Sequence, residues 1–274
     1  MKIIDNILDI KNLQYNNKSV GFVPTMGALH QGHISLIKEA RKNNEIVIVS
    51  VFVNPTQFLE GEDFDKYPRT AQSDIKICEL CEVNYLFMPN INDMYGEDEV
   101  LVKAPNISGF VLEGLNRPGH FDGMLQIVLK LLLLISPTNA YFGKKDAQQL
   151  FLIKKMVKNF YLKVNIIECD IIREDDGLAL SSRNRYLSKE ERELALNISF
   201  SLKKAAKLIG SGEFCCKKLY ETILAILNKD GISIEYIAFV DREFNLLNEI
   251  ELKNSIILIA VKIGKTRLID NIWI

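Results

Sequence analysis

The ten residues EIVIVSVFVN, positions 45–54, limit the possible folds more than any other stretch of the chain. Apolar, mostly β-branched side chains follow one another without polar alternation. The segment therefore reads as a strand covered on both faces. Helices supply that kind of cover, and the surrounding sequence provides them. SVGFVPT (19–25) reads as a strand and HISLIKEARKNN (33–44) as an amphipathic helix. TAQSDIKICELCEV (70–83) is a second helix, NYLFMP (84–89) a short strand, and Asp122 to Ile135 a long apolar helix. NAYFG (139–143), DAQQLFLIKKMVKNF (146–160) and KVNIIECDII (163–172) continue as strand, helix and strand. This repetition predicts an α/β fold with a parallel doubly wound sheet.

The texture changes at REDDG, Arg173 to Gly177. Two helices follow, SKEERELALNISFSLKKAAKLIG (188–210), with Ser188 as N-cap, and CKKLYETILAILNKDG (216–231). IEYIAFVD (234–241), SIILIAVKIG (255–264) and TRLIDNI (266–272) then read as strands. The expected organisation is a Rossmann-like domain over 1–173 and a smaller α+β domain over 174–274.

Lys plus Arg (34) and Asp plus Glu (35) nearly cancel, for a formal net charge of −1. That balance argues against a general nucleic-acid or membrane-surface binder and leaves a local basic site open. The opening MKIIDNILDIKNLQY is interrupted by acids and does not read as a signal peptide. The most apolar run, LQIVLKLLLLIS (125–136), contains Lys130 and is too short to span a bilayer. Cys78 and Cys81 form a CxxC, and Cys215 and Cys216 are adjacent. No second ligand pair stands at zinc spacing, so core-facing thiols in a reducing compartment are the simpler reading.

Ligands of a doubly wound sheet gather at the carboxyl ends of its strands. PTMGALHQGH (24–33) lies where the first strand yields to a helix, whose free N–H groups suit a phosphate. Gly27 and Gly32 permit close backbone approach. His30 and His33 are suited to donate to phosphate oxygens as negative charge develops. Taken alone, the pattern also fits two structural histidines. VFVNPTQF (51–58) puts Asn54 and Gln57 past the next strand, as carboxamides able to read a small hydroxy acid or as parts of a plain turn. YFGKKDAQQL (141–150) offers Lys144 and Lys145 to phosphate and Asp146 to ribose, or is a solvated helix start. GLALSSRN (177–184) offers two hydroxyls and a guanidinium to a triphosphate, or is a capping loop.

In order along the chain, PTMGALHQGH, NPTQF, YPRT, RPGHFDG, FGKKDAQQL, DGLALSSRN and GKTRLIDN resemble the pantothenate synthetase (pantoate–β-alanine ligase) family over nearly the whole length. The resemblance implies a nucleotidyltransferase-type Rossmann domain, a small C-terminal domain closing over ATP, and a cytoplasmic homodimer. It implies two steps: ATP and pantoate give pantoyl adenylate and pyrophosphate with Mg²⁺, and β-alanine then displaces AMP. ATP contacts are implied for Met26, Gly27, Ala28, Leu29, His30, Gln31, Gly32 and His33, with His33 as proton donor and His30 beside it on the phosphates. They are implied also for Gly143, Lys144, Lys145 and Asp146, with Lys145 acting on the phosphates and Asp146 on the ribose. The Ile172 backbone would meet the adenine edge, and Leu180, Ser181, Ser182 and Arg183 would close over the nucleotide. Gln57 and Gln149 would hold pantoate, and Gln57, Asn54 and Tyr67 would border β-alanine. Arg117 and His120 would be structural or dimer-related. In one departure, Lys144 replaces the family's usual glutamate before the lysine.

HxGH alone would also allow a nucleotidyltransferase that keeps the nucleotide in its product, or a non-catalytic nucleotide binder. The paired glutamines with the SSRN segment favour an adenylate handed to an amine.

Overall fold

The computed structural model describes all 274 residues. The chain divides into two compact units, Met1–Lys144 with Leu152–Asp170, and Lys145–Phe151 with Ile171–Ile274.

In chain order, the first half contains β1 (Lys2–Ile4), α1 (Ile7–Lys11), β2 (Val20–Thr25), α2 (Gln31–Asn43), β3 (Ile46–Val51), α3 (Ala71–Leu80), β4 (Tyr85–Phe87), α4 (Ile91–Met94), α5 (Glu113–Asn116), α6 (His120–Ile135), β5 (Asn139–Gly143), α7 (Ala147–Asn159) and β6 (Asn165–Cys169). The six strands form one sheet in the order β1-β4-β3-β2-β5-β6, and every neighbouring pair is parallel. This is the doubly wound sheet expected from the sequence. Leu36, Ile37 and Ala40 of α2 and Cys78 of α3 pack on Val23, Val47, Val49 and Leu86. Strand geometry turns the intervening Phe22 and Ile48 to the opposite face, where both are fully buried. There α6 lies against β2 and α1. The chain leaves β2 toward β3 and β4, then returns to its other side as β5. The topological switch point, where such sheets bind ligands, is therefore at the carboxyl ends of β2 and β5.

Besides the short helices α1, α4 and α5, which the sequence reading does not contain, two features of the sheet depart from it. Strand β1 has no counterpart in it, because three residues carry no usable periodicity; it adds to the sheet by pairing Lys2–Ile4 with Tyr85–Phe87. The apolar run 45–54 stops being a strand at Val51, and Pro55–Gln57 forms a 3₁₀ turn, as Pro at its first position favours.

The second unit contains α8 (Lys189–Gly210), α9 (Cys216–Leu227), β7 (Ile232–Asp241), β8 (Ser255–Ile263) and β9 (Thr266–Trp273). The three strands are antiparallel in the order β7-β8-β9. Ile198 and Leu202 of α8 and Leu219 and Ile223 of α9 form its core with Ile257, Ile259 and Val261 of β8. Ser188 caps α8 in a reciprocal box with Glu191, as the sequence indicates.

Two of the five cysteines, Cys78 and Cys216, are buried as core residues, and the other three are partly buried. Burial pushes the Cys78 thiol up to about 12 and the Cys216 thiol to about 11, opposite to the shift a reactive thiolate needs. No helix is long and apolar enough to cross a membrane.

Candidate active site

The turn between β2 and α2 is built almost wholly from its own residues. Gly27 (φ +83°) and Ala28 (φ +51°) take left-handed conformations. Thr25 Oγ1 donates to the Ser50 carbonyl (2.7 Å) and accepts from the Gly27 N–H (3.1 Å). His30 is the N-cap of α2. Its Nδ1 accepts from the Gly32 N–H (3.2 Å), and His33 Nδ1 accepts from the His30 N–H (3.3 Å). This is a capping box made of imidazoles. A ring nitrogen that accepts carries no proton, so each neutral imidazole in this arrangement holds its hydrogen on Nε2. The two ring centroids are 4.1 Å apart. A Cβ at position 32 would stand 2.9 Å from His30 Cε1, so the glycine of His-x-Gly-His makes room for the histidine's own ring.

A remote carboxylate holds the middle of the turn. The carboxylate of Asp74, 1% exposed, accepts the N–H groups of Ala28 (3.0 Å) and Leu29 (2.8 Å), with the Thr70 hydroxyl 3.3 Å from both oxygens. The sequence reading did not single out Asp74. The available signal was a carboxylate set among apolar positions of a helix just past YPRT.

The second turn, Asn54 to Gln57, follows β3. Asn54 is 1% exposed, and both hydrogens of its side-chain amide and both acceptor positions of its Oδ1 are used. Its Nδ2 donates to Gln57 Oε1 (3.1 Å) and to the Gly123 carbonyl (3.0 Å). Its Oδ1 accepts from the hydroxyls of Tyr95 (2.6 Å) and Thr56 (3.1 Å). Gln57 Nε2 donates to Met26 Sδ at 2.9 Å, so Gln57 stands against the first residue of the histidine turn. Helix α6 presses on this turn so closely that a Cβ at Gly123 would lie 2.1 Å from the Thr56 carbonyl oxygen. His120 Nδ1 is 2.7 Å from the Gln57 carbonyl oxygen, and Arg117 Nη2 is 3.4 Å from the same atom. Arg117 is held by Glu62 through Nε–Oε1 (2.7 Å) and Nη2–Oε2 (2.6 Å). Burial raises the Glu62 carboxyl, but the Arg117 guanidinium outweighs it and the net shift is downward. Burial first, then the Arg117 charge, lowers His120 to about 4. Arg117 and His120 thus have a defined structural task. Tyr67 is buried and meets Phe58 edge-on, with ring centroids 5.7 Å apart.

Gly143 ends β5. Lys144 turns to Asp170, with Nζ 2.6 Å from Oδ1 of a carboxylate that is 86% exposed. The cation that replaces the usual glutamate is therefore already matched by a solvated anion.

In the second unit, Lys145 Nζ lies 3.6 Å from Asp146 Oδ1, and the Lys145 carbonyl accepts from Asn271 Nδ2 (2.8 Å). Asn271 Oδ1 takes the indole N–H of Trp273 (2.8 Å). Gln149 is half-buried in the first turn of α7. The Ile172 carbonyl accepts the Leu180 N–H (3.0 Å), and Arg173 bridges to Ala179 across the turn. Ser181 Oγ accepts the Arg183 N–H (3.3 Å) and caps the 3₁₀ segment Ser182–Tyr186. Arg192 Nη2 reaches Glu174 (2.7 Å) and Asp176 (2.6 Å), lacing this segment to α8. Arg173 pairs with the buried Asp270 at 2.6 and 2.9 Å. Asp270 and Asn271 of the terminal TRLIDN are thus supports for the segments that carry Arg173 and Lys145. The sequence shows them in a motif without giving them a task.

The donor set around these turns does not form a protein cage for a divalent cation. No three His, Cys, Asp or Glu side chains are grouped as ligands, and both Asp74 oxygens serve backbone N–H groups.

A profile of the family described as pantoate-beta-alanine ligase matches residues 2–273. The pantothenate synthetase of Aliarcobacter butzleri is 59% identical over 275 residues, with 100% of both chains covered. That of Helicobacter pylori is 46% identical over 278 residues, again with 100% of both covered. The solved pantothenate synthetase of Thermus thermophilus matches with a TM-score of 0.95 at 36% identity, covering 100% of this chain and 99% of that one. A pantoate-beta-alanine ligase from Francisella tularensis, solved with beta-gamma ATP and beta-alanine, matches with a TM-score of 0.81 at 40% identity, covering 100% and 97%. Through its motifs, its doubly wound sheet and these full-length likenesses, the chain belongs to the pantoate–β-alanine ligase family.

Proposed function

We propose that the chain joins (R)-pantoate to β-alanine at the expense of ATP, giving pantothenate, AMP and pyrophosphate by way of bound pantoyl adenylate. The pantoate carboxylate attacks the α-phosphorus and pyrophosphate leaves. The β-alanine amine then attacks the acyl carbon and AMP leaves. The first displacement needs positioning and charge stabilisation more than covalent help. One observation carries the reading: Gln57 Nε2 rests on Met26 Sδ, so the turn suited to hold an acid abuts the turn suited to hold phosphates.

His30 and His33 then serve as Nε2–H donors to the phosphates, with His33 nearest the developing charge, and Met26 to His33 line the nucleotide. Gln57 and Gln149 hold pantoate through its hydroxyl and carboxylate. Gln57 also borders β-alanine with Tyr67, and Asn54, whose polar atoms are all engaged within the protein, acts by fixing the Gln57 amide. Lys145 pairs with phosphate, Asp146 with the ribose, and the backbones of Gly143 and Ile172 border the nucleotide. Leu180, Ser181, Ser182 and Arg183 of the smaller domain close over ATP. Mg²⁺ would come with the nucleotide and offset the triphosphate charge, with no carboxylate cage of this chain holding it.

The same reading makes the protein a cytoplasmic homodimer. Val100, Leu101, Ile107 and Leu115 are exposed apolar side chains that a second copy would have available to cover. Sedimentation at twice the 31.2 kDa chain mass is the expected result.

The purified protein, given ATP, MgCl₂, pantoate and β-alanine, should release AMP in step with pantothenate. ADP in place of AMP, or a product that retains the nucleotide, would overturn the assignment.

A further inference from the structure

His120 is 8% exposed and carries no task in the reaction as described. Its Nδ1 lies 2.7 Å from the Gln57 carbonyl oxygen. A carbonyl only accepts, so Nδ1 must carry the proton. That carbonyl ends the 3₁₀ turn Pro55–Gln57, where it has no partner further along the turn. His120 is the first residue of α6 and reaches back to satisfy it. Three other contacts act on the same short turn. Gly123 lets the α6 backbone approach Thr56, its carbonyl takes one Asn54 Nδ2 hydrogen, and the Arg117 guanidinium adds a longer contact to the Gln57 carbonyl while gripped by Glu62.

We propose that His120 is a positioning residue: as a neutral Nδ1–H donor it fixes the Gln57 backbone, and with it the register of the Gln57 amide beside Met26, with the Arg117–Glu62 pair as a second strap. The proposal rests on the reading that Gln57 holds pantoate. Its neutral state agrees with the burial and the neighbouring Arg117 that keep the ring from protonating. An imidazolium would still donate from Nδ1, but its charge would sit buried beside a guanidinium.

The test is steady-state kinetics on four single variants and one double variant, with KM measured separately for pantoate and ATP. Losing one buried hydrogen bond should raise the pantoate KM of His120→Leu about tenfold and leave the ATP KM within about twofold. His120→Asn places an amide N–H near the old Nδ1 and should restore the pantoate KM to within about threefold of the parent. Glu62→Gln loosens the second strap at a partly exposed position and should raise it about threefold. It also keeps the test sound should the leucine variant fold poorly. Gln57→Ala should raise the pantoate KM, and adding His120→Leu to it should change little more, because the two act through one group. A full additional penalty in the double variant would overturn the proposal. So would an asparagine variant as impaired as leucine, or an unchanged pantoate KM in both His120→Leu and Glu62→Gln. Parental pantoate use in Gln57→Ala would instead remove the Gln57 reading, and the proposal with it.

Discussion

The histidine turn and the glutamine turn touch at Met26 and Gln57, yet they are built in opposite ways. The first closes largely on itself: His30 and His33 form a capping box within three residues, and the backbone N–H groups of Ala28 and Leu29 go to Asp74 from elsewhere. The second is short and is held from outside by Tyr95, Arg117, His120 and Gly123. A turn that must place donors at a developing charge has its donors fixed by its own helix start. The turn proposed to fit a small acid is set by the surrounding scaffold, so its shape depends on α6.

The comparison can be broken at its catalytic end first. His33→Ala should lower turnover by on the order of 10²–10³-fold, roughly 3–4 kcal/mol of barrier, with a far smaller change in ATP affinity. Single-turnover adenylation at saturating ATP measures this. Near-parental rates would show that the self-capped turn is structural only.

A pH experiment addresses the outside support of the glutamine turn. His120 faces Arg117, Glu62 and Glu113, and burial lowers its folded value to about 4 against an ordinary 6.5. Between those values the unfolded chain binds the proton and the native protein does not. Stability from this group is therefore intact above pH 6.5 and lost as pH falls toward 4, by about 3 kcal/mol in all. Urea titrations of the parent and of His120→Asn should show the parent losing more stability over that range. Parallel curves would mean that His120 is not held neutral.

Asp74→Asn tests a remote support of the histidine turn. An amide offers a single acceptor and turns its NH₂ toward the other backbone N–H, so about 2 kcal/mol of stability should be lost, with adenylation falling more than ATP binding. Thermal melts with the adenylation assay separate the two effects. The smallest effect is expected at Lys144→Glu. The Lys144–Asp170 pair is half in solvent, and such pairs contribute about 0–1 kcal/mol. A large change in ATP affinity would show that Lys144 does more than face Asp170.

The difference between the two turns also explains what could be read from the sequence. The doubly wound sheet was legible because its strands are apolar without alternation and its helices are amphipathic. His30 and His33 were legible because their geometry is set within one helical turn. Strand β1 was not, since three residues carry no period. Nor was the task of His120, because its partner lies 63 positions earlier and meets it only after α6 packs on the Asn54–Gln57 turn. The task of Asp74 stayed hidden for the same reason: its place among apolar helix positions signals burial, but the backbone N–H groups it accepts lie 46 and 45 positions earlier.

The most direct test of this division of labour is labelled pyrophosphate–ATP exchange. On the proposed reading, the histidine turn would support attack on ATP and the glutamine turn would hold the acid that attacks. No cysteine lies in any motif to serve as a covalent acyl acceptor. The parent should therefore incorporate label into ATP with pantoate and MgCl₂ present and β-alanine absent, and should show none without pantoate. Exchange that appears only once β-alanine is added would mean a concerted route, and the separate roles given to the two turns would be wrong.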